Sequence, residues 1–290
     1  MRRVGVVLFA GVVALVVVPF ASASFLVARD ASDVSLRVQG GRAIVDYRAG
    51  GIERHVVLSG AINARAPDAM VPQVEFRTDF GVGRMHGGTC LPYDGPALPW
   101  LLVACRAPDG SYWALQQWQR QLPDYGVEPN AQQASSELHL SHWTGALPVL
   151  KVSTDWSYHR WQHLFGTYTY DGTAVFGFGS TSTGQPLDSF GRNVYLDSMN
   201  SNYLDGRGTW MRVNSWLTHK STGAWCYGVS PHGSADRTGA GSRYRLTIMG
   251  PGVTPDVSVT VGSPGRYNAT ADAAQNTKIA ALHDTLCKPN

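Results

Sequence analysis

The sequence predicts a mainly β protein: an antiparallel β-sandwich-like domain closed by a short C-terminal α-helix. Three observations predict it. Apolar and polar residues alternate with period two along many short runs. Glycine and proline, 32 and 16 of 290 residues, punctuate those runs. Only one stretch, near the C-terminus, carries the three-and-four spacing of a helix.

The chain opens with "MRRVGVVLFAGVVALVVVPFASAS". Arg2 and Arg3 precede an apolar run from Val4 to Phe20, and Ala21-Ser22-Ala23 forms a small-residue cleavage site. That is the layout of a secretory leader, so residues 1–24 read as a signal peptide. Left uncleaved, the same stretch continues through Phe25-Leu26-Val27 and is long enough, at about 20 residues, to anchor the chain in a bilayer. The expected location is therefore extracellular, or the outer face of the membrane. Residues 25–290 read as one β-rich secreted domain, with a candidate sub-boundary at 145–150 around Gly145–Pro148.

From Val34 the runs "VSLRV", "AIVDYR" and "IERHVVL" are separated by Gly40-Gly41 and Gly50-Gly51, which predicts a three-stranded meander. "APDGSYW" and "TYDGTAV" each place Asp-Gly between strand-like runs, the signature of a two-residue hairpin turn. In the second, Tyr170 and Thr173 flank the turn. Thr169 is then expected opposite Ala174, Thr167 opposite Phe176 and Phe165 opposite Phe178. In "TADAAQNTKIAALHDTLCK", Ile279, Leu282 and Leu286 form one apolar helical stripe.

Cys90, Cys105, Cys226 and Cys287 make an even count in an exported chain, which predicts two disulfides with three possible connectivities. Cys90–Cys105 and Cys226–Cys287 are favoured, because the first pair flanks a short loop and the second pins the chain's end. No CxxC occurs, so neither a metal site nor a cofactor is expected. Without Arg2 and Arg3 the basic residues barely outnumber the 21 acidic ones. No basic field gathers nucleic acid or an anionic membrane, and both partners are discounted.

"DWSYHRWQH", residues 155–163, concentrates aromatic, basic and imidazole groups. As one strand it sets His159 and His163 about 13 Å apart, too far to share a zinc ion. Only a helical turn brings those rings together. An aromatic sheet surface or a strand-to-loop transition is the expected reading. In "ELHLSHWTG", His139 and His142 fall on opposite faces of a strand, each satisfied on its own side, and Glu137 shares the face of His139. A structural hydrogen bond is the expected role of that pair.

Nucleophile motifs are missing: there is no G-x-S-x-G, and "GVSPH" breaks the motif after its serine, with Pro231 in the turn and His232 in place of the closing glycine. Glycoside hydrolysis needs two opposed carboxylates. The only glutamates are Glu53, Glu75, Glu128 and Glu137. Asp94, Asp109, Asp171 and Asp205 each precede glycine and are explained as turn residues; among the other aspartates Asp155, Asp188 and Asp197 stand out as unexplained acids.

Nine tryptophans accompany twelve tyrosines. Flat rings beside polar groups on a sheet face suit sugar binding, since pyranose faces stack on aromatics while hydroxyls find polar partners. The segments "PYDGPALPWL", "PDGSYWALQ", "LHLSHWTG", "DSFGRNVYLDS" and "GPGVTPD" resemble those of an uncharacterised family of secreted proteins from high-GC actinobacteria. The resemblance implies export and brings no catalytic residue. The leading expectation is a secreted or surface-held binding protein whose partner is a polysaccharide or cell-envelope glycan. Trp143, Trp156, Tyr158 and Trp161 are its expected contact residues. The alternative is a secreted polysaccharide hydrolase drawing on Asp155, Glu137 or Asp188, assisted by His139 or His159. A third reading is a structural envelope protein with no small ligand.

Overall fold

The structure, a computed structural model, describes residues 24–60, 76–119, 135–158, 161–170, 172–174, 179–180, 186–187, 194–199, 210–212, 216–219, 224–229, 242–250 and 254–281. Strand β1 (Phe25–Arg29) leads into the predicted meander of β2 (Ser32–Gln39), β3 (Arg42–Ala49) and β4 (Ile52–Gly60). Both meander turns are made by the expected glycine pairs in positive φ, a conformation that side chains with a Cβ disfavour. Next come β5 (Phe76–Val82), β6 (Leu91–Pro92), β7 (Leu101–Arg106), β8 (Tyr112–Gln119) and β9 (Ser136–Trp143). The later chain forms β10 (Val149–Ser157), β11 (Trp161–Tyr170), β12 (Thr173–Ala174), β13 (Gly179–Ser180) and β14 (Pro186–Leu187). It continues with β15 (Val194–Met199), β16 (Trp210–Arg212), β17 (Trp216–His219), β18 (Ala224–Val229), β19 (Arg243–Ile248) and β20 (Val257–Gly262). One helix, α1 (Ala269–Ala281), follows.

These strands make four antiparallel sheets. Sheet I has the order β1-β9-β8-β7-β6 and sheet II the order β2-β3-β4-β5. Sheet III runs β10-β11-β18-β17, and sheet IV runs β16-β15-β19-β20. β13 and β14 pair only with each other, and β12 adds to β11. The connector Gly145–Pro148 separates the strands of sheets I and II from those of III and IV.

Period-two alternation builds the cores. Leu36, Val38, Ala43, Val45, Tyr47, Val56 and Leu58 of sheet II face Trp113, Leu115, Leu138 and Leu140 of sheet I. Each fully buried aliphatic side chain here contributes about 1.5–3 kcal/mol through removal from water. Leu150, Leu164 and Tyr168 of sheet III likewise face Leu196, Tyr244, Leu246 and Ile248 of sheet IV. Sheet I is buried on both faces, because Trp118 on its far side packs against Tyr195 of sheet IV and Met249. The sheets thus stack in the order II, I, IV, III.

The local expectations fare unevenly. The Asp109-Gly110 hairpin is formed, with three loop residues in place of the predicted two. Gly110 N–H donates to Ala107 O at 3.0 Å, and Ala107 N–H donates to Ser111 O at 2.8 Å. Gly110 sits at φ 84°, so a tight turn is followed by one left-handed residue, the next commonest hairpin solution. At the second hairpin Thr169 pairs with Ala174 and Tyr170 with Thr173, as expected. The register farther along is corrected: Phe165 lies between Ser153 and Cys226, and Thr167 between Lys151 and Ala224. β18 takes the place beside β11 that a longer hairpin would occupy.

Cys90 and Cys105 are bridged, stapling the entry of β6 to β7. Cys287 lies outside the described residues, as do residues 1–23 of the expected leader, His159 and Asp188; Ser24, the last residue of that leader, is described. Helix α1 begins with Asn268 as its cap: the Asn268 Oδ1 accepts from Thr270 N–H at 2.9 Å and Ala271 N–H at 3.1 Å. Ile279 is buried as predicted, and Leu282 and Leu286 lie beyond the described residues.

Candidate functional site

The nine-residue segment that invited a ligand is a hairpin. β10 runs to Ser157, Tyr158 turns with φ 47°, and β11 starts at Trp161, with Asp155 opposite His163, Trp156 opposite Gln162 and Ser157 opposite Trp161. Asp155, Trp161 and His163 therefore share the outer face of sheet III. Trp156 points the other way, is buried, and meets Tyr267 edge-on at 5.3 Å.

On the outer face, Trp161, His163 and Phe165 are alternate residues of β11, with neighbouring ring centroids 6.5 and 5.9 Å apart. Tyr158 stands edge-on to His163 at 6.0 Å. Ser157 Oγ bonds His163 Nδ1, and the imidazole is wholly covered. Around it Tyr158, Trp161 and Phe165 are each half-buried. Partial burial raises the Tyr158 phenol above its ordinary pKa of 10.0. The turn is held from the side by α1, whose Asn276 Oδ1 accepts from Tyr158 N–H at 2.8 Å. Beyond Phe165 the strip opens into a shallow groove of about 340 Å³ lined by Lys151, Val152, Ser153, Phe165, Gly166 and Thr167. Asp155 Oδ1 accepts the Trp156 N–H at 2.8 Å, a local bond that helps shape the turn.

Trp143 is only 1% exposed, packed under Tyr93, Leu98 and Tyr112. Of the four expected contact residues, then, Tyr158 and Trp161 present their rings, and Trp143 and Trp156 are core. Both buried indoles lie on strand faces that a second layer covers, which the local pattern does not reveal.

Glu137 and His139 do meet, inside the protein. His139 Nε2 lies 3.2 Å from Glu137 Oε2, and Arg29 Nε donates to Glu137 Oε1 at 3.2 Å. On the other side of the ring, Ser24 Oγ is 2.9 Å from His139 Nδ1 and donates to Asp256 Oδ1 at 2.7 Å. Trp118 Nε1 donates to Asp256 Oδ2 at 2.8 Å and stacks on His139 at 5.2 Å. Gln116 Nε2 donates to Asp256 O at 3.0 Å, and Gln116 Oε1 accepts from Asp256 N–H at 2.9 Å. Ser24, His139, Glu137 and Asp256 are all at most 3% exposed. A serine, an imidazole and carboxylates in contact have the parts of a hydrolytic triad, but no substrate reaches them. The two carboxylates sit at opposite nitrogens of the ring and so share no point where a metal ion fits. Among the described residues no group of three or more His, Cys, Asp or Glu side chains is arranged to hold a metal ion.

His142 occupies the opposite face of β9, as its spacing requires. It stacks on Trp113 at 3.5 Å, and its Nδ1 is 2.9 Å from Gly60 O, so Nδ1 carries the hydrogen. Burial pushes its pKa down from 6.5 to about 4 and leaves the ring neutral at pH 7, with Nε2 2.9 Å from Ser111 Oγ. Sequence reading missed Ser24 and Asp256 as partners of His139. Asp256 lies in "GPGVTPD" with no glycine after it, but most aspartates of the chain share that property, so nothing local marks it.

Compared with known proteins, the chain matches no protein family, no curated protein and no solved structure.

Proposed function

We propose that this is a secreted or cell-surface β-sandwich protein that binds a polysaccharide through the outer face of sheet III. One observation carries the reading: Tyr158, Trp161 and Phe165 form a partly exposed aromatic strip that runs into a groove edged by Lys151, Ser153 and Thr167. Stacked rings supply affinity for the apolar faces of sugars, and the amine and hydroxyls supply partners for sugar hydroxyls. The strip lies on two hydrogen-bonded strands braced by α1, so little ordering entropy opposes binding. Export is supported by the leader-like N-terminus and by the Cys90–Cys105 disulfide, a bond that persists in oxidising compartments.

The hydrolase reading has less support, because the Glu137–His139 pair is sealed and Asp155 is engaged by its own turn. A panel of insoluble polysaccharides separates the two. Binding predicts capture of the wild-type protein, loss of capture in Trp161→Ala, and no soluble sugar released. Release of sugar that stops in Asp155→Asn while capture persists would favour hydrolysis.

A further inference from the structure

On the face of sheet IV that turns toward sheet I, away from the part where Tyr195 packs on Trp118, lies another cluster of rings and cations. Register places Met199 between Trp210 and Arg243 in one row and Asp197 beside Arg245 in the next. The Arg245 guanidinium carbon is 4.5 Å from the Trp210 ring centroid and 5.4 Å from that of Trp100. Its Nη2 and Nε donate to Asp197 Oδ2 at 2.8 and 3.1 Å. Both the flat face and the N–H edge of Arg245 are therefore in use.

Arg243 is different. Its guanidinium carbon lies 5.7 Å from the same Trp210 ring, and its Nη2 is 2.8 Å from Met199 Sδ. It is exposed, and among the described residues it has no carboxylate partner. Stacking engages only the face of a guanidinium, and a thioether is a weak acceptor, so most of the five-donor fork is unmatched. Trp100, half-buried like Trp210, holds its place with φ 50°. That left-handed conformation costs a side-chain-bearing residue about 1–2 kcal/mol, and such outliers concentrate at functional positions. Thr260, exposed on the next strand opposite Arg245, adds a hydroxyl to the same face.

We propose that this face is a second ligand site, for a sugar bearing one carboxylate, such as a uronic acid unit of a polysaccharide. The Arg243 fork donates to the two carboxylate oxygens in plane, a geometry that guanidinium and carboxylate share. The pyranose ring stacks on Trp210, with Trp100 bordering the site. Asp197 pairs with Arg245, and Arg243 stands as an exposed cation with no carboxylate partner among the described residues. The site shares no residue with the Trp161 strip.

Affinity electrophoresis of the full chain at low salt, in gels containing either polygalacturonate or its fully methyl-esterified form, tests the proposal. The wild-type protein is expected to be retarded by polygalacturonate and not by the ester. Arg243→Gln is expected to weaken that retention roughly tenfold or more. Arg243→Lys, which keeps the charge and loses the fork, is expected to recover only part of it. Trp161→Ala is expected to be retained as the wild type, which separates this site from the strip on sheet III. Equal retardation in both gels, none in either, or full retention of Arg243→Gln or Arg243→Lys would overturn it. A far-UV spectrum matching the wild type establishes that each exposed-site variant is folded.

Discussion

Trp118 Nε1 donates a 2.8 Å hydrogen bond to Asp256 Oδ2, joining the far face of sheet I to the segment that enters β20. Around it Ser24, Gln116 and His139 give Asp256 further partners, so a carboxylate with no exposure is satisfied entirely by groups of sheet I and the residue before β1. Buried charge is tolerated only when so surrounded. The cluster therefore fixes how the two halves of the chain meet.

Replacing Asp256 by alanine strands Trp118 Nε1 and the Ser24 hydroxyl in a dry interior and removes the charge facing His139. A loss of roughly 3–5 kcal/mol is expected, since that is what breaking a buried pair costs. Urea unfolding measures it. A midpoint within error of the wild type would show that the cluster does not hold the halves together.

His142 sets a pH dependence of stability. Its folded pKa of about 4 lies below the unfolded value of 6.5. Between those values the unfolded chain binds a proton that the folded chain refuses, so stability falls as pH drops from 6.5 towards 4 and is fully present above 6.5. The loss amounts to about 3 kcal/mol at most. Denaturant titrations across that range measure the slope, and His142→Gln should flatten it. An unchanged slope in that variant would assign the dependence to other groups.

The disulfide makes a prediction of its own. Cys90 and Cys105 are 15 residues apart, and closing a loop of that size restricts the unfolded chain by about 3 kcal/mol. Replacing both by alanine should lower the urea midpoint accordingly with the β-rich spectrum kept.

Much of this architecture was legible because it is local. Glycine pairs mark the meander turns, Asp-Gly marks two hairpins, and three-residue spacing puts His139 and His142 on opposite faces of β9. What failed needed knowledge of a third layer. The pattern around Trp143 and Trp156 shows a strand face, and the loop holding Tyr93 and Leu98, or the segment with Tyr267, covers it from far away in sequence. The same holds for Phe165, whose neighbour β18 arrives after some sixty residues of chain and displaces the hairpin partner that period-two pairing predicted. Asp256 and Ser24 escaped notice for this reason too: they lie 232 residues apart, and only the stacking of sheets brings them together.

Polysaccharide capture by Trp161→Ala, set beside its stability, tests the central claim most directly. Trp161 is only partly buried, so its truncation should cost less than the roughly 3–5 kcal/mol expected for the buried Trp156→Ala. The account predicts a folded Trp161→Ala protein that no longer binds the polysaccharide retained by the wild type. A folded Trp161→Ala protein that binds as well as the wild type would contradict it.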